Sequence, residues 1–149
     1  MRAGWMVAAV FGALASVACG GGASSSVTSS GSASSSGSRV TTSHNAGRDC
    51  TACHREFAIA GTVYKTDAGT PLTGATIRLT SAADGAGAVL LSLTSDGSGN
   101  FYTRQSVGFG SGVYVDVAGA SGTRRGMKAA VTSGACNSCH GGSQRVTAN

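Results

Sequence analysis

The 149-residue sequence has little that could form a helical core or cross a membrane. Its main apolar stretch, residues 5–17, is shorter than the roughly 20 residues that a transmembrane helix needs. No segment repeats apolar residues at the three- and four-residue spacing of an amphipathic helix. His and Met are scarce, with three of each, so chemistry that needs imidazole or thioether groups has few candidates. Neither a membrane-spanning helix nor a helical bundle is therefore expected.

The first 18 residues have the pattern of a signal peptide, with a positive charge at Arg2 followed by the apolar stretch. The sequence from Ser16 to Cys19 resembles a bacterial lipoprotein signal, which implies lipidation of Cys19, although Ser16 stands where that signal prefers an aliphatic residue. Ordinary cleavage after Ala18 would instead leave Cys19 as a free thiol. Residues 19–43 are almost all Gly, Ser, Thr and Ala, and we expect a disordered linker that holds the rest of the chain off a membrane.

Four of the five cysteines belong to two copies of the pattern Cys-x-x-Cys-His. Two thiols at this spacing can add to the two vinyl groups of one haem, and the adjacent imidazole can then bind the iron, so the pattern is typical of c-type haem attachment. The sequence therefore predicts two covalent haem c groups. The residues predicted to hold them are Cys50, Cys53 and His54 in the first copy and Cys136, Cys139 and His140 in the second.

The remaining ligands of the two irons are restricted by composition. Two haems with two imidazoles each would need four His, so at most one haem can have both axial ligands as His of this chain. His44 is the one His outside the motifs, and Met127 is the one Met that would remain after signal removal. Both are candidate distal iron ligands, with alternative roles as a solvated linker His and a core Met. Water, an open position or a His from a neighbouring molecule are the other options, so self-association is a further expectation.

Between the two motifs the apolar residues alternate with a period of two, as in strands. Turn residues such as Gly, Asp, Asn and Ser fill the gaps. This pattern predicts a single antiparallel β-sandwich, all-β in class and Ig-like or prealbumin-like in form. The predicted strands lie within residues 57–64, 75–80, 89–93, 101–104, 113–117 and 127–131. Six strands would bring both motifs to one end of the sandwich, whereas an additional strand at 107–109 would separate them.

The order of these elements resembles the carboxypeptidase regulatory-like, prealbumin-like sandwich. The motifs that carry the resemblance are Ile59-x-Gly61-x-Val63, the segment from Thr70 to Leu79 that contains Pro71-Leu72-Thr73-Gly74-Ala75-x-Ile77, the segment Thr94-x-Asp96-x-x-Gly99-Asn100-Phe101, and Tyr114-x-x-Val117. The resemblance covers roughly half of the chain and implies a structural or binding module without catalytic residues of its own. It therefore predicts a fold and leaves function to the two Cys-x-x-Cys-His motifs.

Five segments follow from these observations. They are a signal peptide (1–18), a lipid-anchored Gly/Ser-rich linker (19–43), an N-terminal haem c segment (44–57), a β-sandwich (58–132) and a C-terminal haem c segment (133–149). The expected location is the extracytoplasmic side of a bacterial cell envelope, with the lipid in the outer membrane and the domain facing the periplasm or the cell surface. Four haem propionates would offset most of the basic excess, so redox proteins and a lipid membrane are the expected partners, and nucleic acid is not.

The leading prediction is a membrane-anchored dihaem cytochrome that carries or relays electrons and is not an enzyme. A small dihaem peroxidase is one alternative, because the shortage of His would permit an open iron. The other alternative is a surface or adhesion module in which the four motif thiols close a zinc site. That site would leave both motif His residues without a role.

Overall fold

The structure is a computed structural model that describes residues 42–149. The predictions of a signal peptide, of lipidation at Cys19 and of most of the linker therefore lie outside the described residues. Residues 42–149 form two short helices and seven strands in the order α1 (Cys50–Cys53), β1 (Ile59–Tyr64), β2 (Thr76–Thr80), β3 (Val89–Thr94), β4 (Asn100–Thr103), β5 (Tyr114–Ala118), β6 (Arg124–Gly126), α2 (Cys136–His140) and β7 (Val146–Thr147).

The strands form two sheets, one of three strands in the order β4-β1-β7 and one of four in the order β3-β2-β5-β6. All pairs are antiparallel except that of β1 with β7. The core is formed by the side chains that point to one face of each strand. On β2, Ile77 and Leu79 are buried, while Arg78 between them is only partly buried. The prediction of an all-β sandwich is confirmed. Its buried apolar cluster consists of Ile59, Val63, Ala75, Ile77, Leu79, Phe101, Val113, Val117 and Ala148.

Strand β1 is the element on which both Cys-x-x-Cys-His segments converge. All six of its residues are buried, because one edge pairs with β4 and the other is continued by the chain around Ala135, by α2 and by β7. Glycine is required at position 61, since a Cβ there would lie 2.9 Å from the Cβ of Cys136. Such close approach allows α2 to pack directly against the strand.

A buried carboxylate fixes the register of the larger sheet. Asp116 on β5 is 1% exposed and accepts hydrogen bonds from Arg78 on β2 and Arg124 on β6, each with a closest distance of 2.7 Å. These bonds place the last strand of this sheet at Arg124–Gly126. The predicted strand over residues 127–131 was therefore wrong in its position, although Val131 still forms an isolated bridge with Val113.

The additional strand considered at residues 107–109 does not form. A short 3-10 turn occupies Phe109–Ser111 instead. The two Cys-x-x-Cys-His helices both contact β1 and so lie together, as the six-strand count predicted, although β7 adds a short strand that the sequence did not indicate.

Candidate haem-attachment sites

The first motif forms the one-turn helix α1. The side chain of Asp49 caps it by accepting hydrogen bonds from the N–H and the hydroxyl of Thr51, at 3.0 and 2.7 Å. Residues three apart on a helix lie on one side, so Cys50 and Cys53 face the same way. The N–H of His54 bonds to the carbonyl of Cys50 at 2.8 Å, which sets the imidazole directly after the turn. The local fold thus presents two sulfurs and an imidazole together.

The second motif forms helix α2, which is set deeper than α1. Cys136 is half-buried and Asn137 is 5% exposed, whereas Cys139 is exposed. The backbone N–H of Ser138 donates to the carbonyl of Ala135 at 3.1 Å and closes the start of the turn, and the Ser138 hydroxyl donates to the same carbonyl at 2.6 Å. The two motifs are therefore similar in shape and unequal in their exposure to solvent.

The thiols differ in their chemical state. Cys50, Cys136 and Cys139 are free thiols. Burial raises the pKa of the Cys136 thiol to about 11 from 9.0. Burial, with a smaller contribution from Asp49, also raises the pKa of Cys50.

One buried hydrogen-bond network joins the two motifs. Asn137 accepts from the N–H of Thr62 at 3.0 Å and donates to the Thr62 hydroxyl at 2.9 Å and to the carbonyl of Arg48 at 2.8 Å. The same Arg48 carbonyl accepts from the thiol of Cys50 at 3.6 Å. A side chain in the second motif therefore contacts the residues that lead into the first.

The imidazole of His54 lies within a row of aromatic rings. His44 is on one side, with ring centroids 5.8 Å apart and planes tilted by 53°. Phe57 stacks on His54 at 4.9 Å, and Tyr102 stacks on Phe57 at 4.6 Å. The carboxylate of Glu56 lies 3.6 Å from His54 Nδ1. His54, Glu56, Phe57 and Tyr102 line an open surface groove.

His140 and the second pair of cysteines border an apolar cleft of about 440 Å³ between the sheets. Met127 lines the same cleft, as do Arg125 and Arg145. Its apolar wall includes Ile77, Phe101, Val115, Val117 and Val131. A volume of this order is typical of a pocket for a cofactor-sized ligand.

The orientation of His140 is set by its backbone neighbour. Nδ1 lies 2.7 Å from the carbonyl oxygen of Gln144, which can only accept, so Nδ1 carries the proton. Nε2 is then the nitrogen with a free lone pair. Metal-binding histidines commonly have this arrangement, in which a carbonyl fixes the tautomer of the ligand.

The separation of the His44 and His54 rings is compatible with two axial ligands of one iron. Two imidazoles that bind one metal from opposite sides have ring centroids about 6 Å apart, given metal–nitrogen bonds of about 2 Å, and the separation of His44 and His54 is close to that value. Among residues 42–149, no three His, Cys, Asp or Glu side chains are placed to hold one metal ion. The four-thiolate zinc alternative thus gains no support from this part of the chain.

The structure brings the predicted site residues into two groups. His44 lies with the first motif and Met127 with the second. Sequence reasoning missed Asn137 and Thr62, because an Asn between two cysteines and a Thr in a strand carry no signal of a shared network. Over residues 42–149, no helix is long and apolar enough to span a membrane.

Comparisons with protein-family models, with curated proteins and with solved structures gave no match. The resemblance to the carboxypeptidase regulatory-like sandwich therefore stays a prediction, and the sandwich itself rests on the structure.

Proposed function

We propose that this protein is an extracytoplasmic dihaem c-type cytochrome that carries or relays electrons. The observation that carries the proposal is the convergence of both Cys-x-x-Cys-His turns on strand β1, with His44 beside His54 at the first motif and an apolar cleft of cofactor size at the second. When bound, haem would supply one-electron redox chemistry at its iron.

Covalent attachment would use the four motif thiols. Each S–H adds across one vinyl double bond, so that a C–S bond forms at one carbon and the hydrogen goes to the other. Cys50 and Cys53 would hold the first haem, with His54 as its proximal ligand. Cys136 and Cys139 would hold the second, with His140 as its proximal ligand through Nε2.

The candidate distal ligands divide between the two groups. His44 would complete the coordination of the first iron, because its ring lies beside that of His54. Met127 would complete that of the second, because it lines the cleft that His140 borders. A thioether ligand raises the reduction potential relative to a second imidazole, so the two haems would differ in potential.

Two cationic residues belong to the lining of the second cleft. They are Arg125 and Arg145, and the guanidinium of Arg145 also donates to the carbonyl of Ala68 at 2.6 Å and lies 4.6 Å from the centre of the Tyr64 ring. These two side chains would be the candidates to pair with haem propionates, and the apolar wall would surround the macrocycle. The protein would in this way hold the haems and tune their potentials, as expected for an electron carrier.

The cellular setting is also part of the proposal. We infer a lipid anchor at Cys19 and a location in the cell envelope, where c-type haem is attached and redox proteins would be the partners. The aligned rings of His54, Phe57 and Tyr102 end at a tyrosine that is 46% exposed. This ring row gives the first haem a route to the protein surface.

The test is expression in a bacterial periplasm together with the full haem-maturation machinery. We expect a reduced-minus-oxidised spectrum with c-type bands, loss of one haem in Cys50→Ser/Cys53→Ser and loss of the other in Cys136→Ser/Cys139→Ser. The matched control is Ser138→Ala, which should keep both haems. A colourless wild-type protein, or one that contains zinc and no iron, would refute the proposal. Rapid reaction of the ferric protein with peroxide would favour the peroxidase alternative.

A further inference from the structure

The segment that carries His44 is held in place by few anchors. His44 is exposed, and its own backbone carbonyl accepts a hydrogen bond from the Asn100 amide at 3.1 Å. The same amide donates to the hydroxyl of Ser43 at 2.8 Å. At the other end of the segment, the carbonyl of Arg48 accepts from Asn137 at 2.8 Å. The Ser98 hydroxyl also donates to the carbonyl of Ser43 at 2.7 Å. The position of the His44 backbone thus depends on Asn100, Asn137 and Ser98.

Two of these anchors, Asn100 and Asn137, both bond to the hydroxyl of Thr62. The side-chain oxygen of Asn100 accepts a hydrogen bond from the hydroxyl of Thr62 at 2.6 Å. The Thr62 hydroxyl in turn accepts one from the side-chain amide of Asn137 at 2.9 Å. The Thr62 oxygen also accepts from the N–H of Gly47 at 2.9 Å, inside the same segment. Asn137 therefore reaches residues 43–48 directly through Arg48 and indirectly through Thr62.

The network is buried, which makes its loss costly. Thr62, Asn100 and Asn137 are 1%, 2% and 5% exposed. In such surroundings a donor or acceptor that loses its partner cannot turn to water, and the remaining groups must shift or stay unsatisfied. Removal of the Asn137 side chain would leave three hydrogen bonds unmade.

We propose that Asn137, although it lies between the two haem-binding cysteines of the second motif, is a positioning residue for His44 at the first haem. The inference rests on the proposed function and extends it, because it makes the ligation of one haem depend on the attachment turn of the other. The two haem sites would then respond together to changes in the turn at Asn137.

The test is a titration of the ferric dihaem protein with imidazole, which must displace His44 to reach the first iron. We expect Asn137→Ala to bind imidazole about tenfold more tightly than wild type, since a loosened His44 competes less well. His44→Ala should bind more tightly still, and the double variant should match His44→Ala, because both changes act through the same ligand. Ser138→Ala, also between the two cysteines, is the matched control and should behave as wild type.

The outcomes separate the inference from the function it builds on. Wild-type protein without covalent haem would overturn the proposed function. If wild type, Asn137→Ala and Ser138→Ala all carry two haems and bind imidazole with the same affinity, the role of Asn137 is overturned and the proposed function is not. Additive effects of Asn137→Ala and His44→Ala would do the same. If Asn137→Ala does not fold, Asn137→Ser keeps a polar group beside Thr62 but is too short to reach Arg48, and the same comparison applies.

Discussion

The imidazole rings of His44 and His54 lie side by side, with centroids 5.8 Å apart, although His44 precedes the first haem-attachment turn and His54 ends it. Residues 43–48 contact β1 on the way to this position, because the N–H of Gly47 donates to the hydroxyl of Thr62. A residue at the margin of the fold is thereby brought to the first candidate iron site. The separation agrees with two imidazoles that share one metal.

Replacement of His44 by Ala should therefore change one haem and leave the other. The first iron would lose its distal ligand, so about half of the ferric haem should convert from low spin to high spin. Electron paramagnetic resonance checks this directly, with Met127→Leu as the control that retains His44. An unchanged low-spin signal from both haems in His44→Ala would contradict the assignment.

Met127→Leu should act on the second haem. Leu fills nearly the same volume in the cleft, so packing is largely kept while the thioether donor is lost. Because thioether ligation raises the potential, we expect the potential of one haem to fall by on the order of 100 mV. A spectroelectrochemical titration measures it, and Val131→Ala, another change in the cleft wall, controls for packing. Two unshifted potentials would remove Met127 as a ligand.

Alkylation of the haem-free protein should separate the two thiols of the second motif. The raised pKa of Cys136, about 11 instead of 9.0, means that its thiolate forms at higher pH. At pH 8 we therefore expect Cys136 to react with iodoacetamide about 100-fold more slowly than an ordinary thiol of pKa 9.0, and its rate should keep rising with pH up to about 11.

Peptide mass spectrometry at timed intervals gives both rates in one sample, with the exposed Cys139 as the internal control. Equal rates at Cys136 and Cys139 between pH 7 and 9 would show that burial does not suppress the Cys136 thiolate.

The buried carboxylate of Asp116 should matter to stability and not to haem content. Asp116→Ala leaves Arg78 and Arg124 without their partner inside the sheet. The expected loss in the free energy of unfolding is about 3 kcal/mol, as for the removal of one member of a buried ion pair. Urea denaturation of the holoprotein measures it. Glu56→Gln, which removes an exposed ion pair with Arg104, should leave the free energy of unfolding nearly unchanged.

Local patterns in the sequence were enough to predict the sandwich. The alternation of Ile77 and Leu79 with polar residues predicts β2, whereas the helical turns that carry Cys50 and Cys136 were not predicted. Alternation of this kind depends on neighbours in the chain. The local sequence therefore predicts which segments form strands and which residues are candidate haem ligands.

Features that depend on distant residues could not be predicted. Asn137 and Thr62 are 75 residues apart, and nothing local marks their bond. Strand β7 has two residues and so shows no periodicity. The last strand of the larger sheet ends at Gly126, before Met127, because Asp116 pairs with Arg124, a contact between different strands.

The most direct test of the central claim is the intact mass of the secreted protein, with peptide mapping of the four motif cysteines. The account predicts two haem additions per chain, one on the peptide with Cys50 and Cys53 and one on that with Cys136 and Cys139. Peptides from natively secreted protein in which all four sulfurs carry no tetrapyrrole would contradict it.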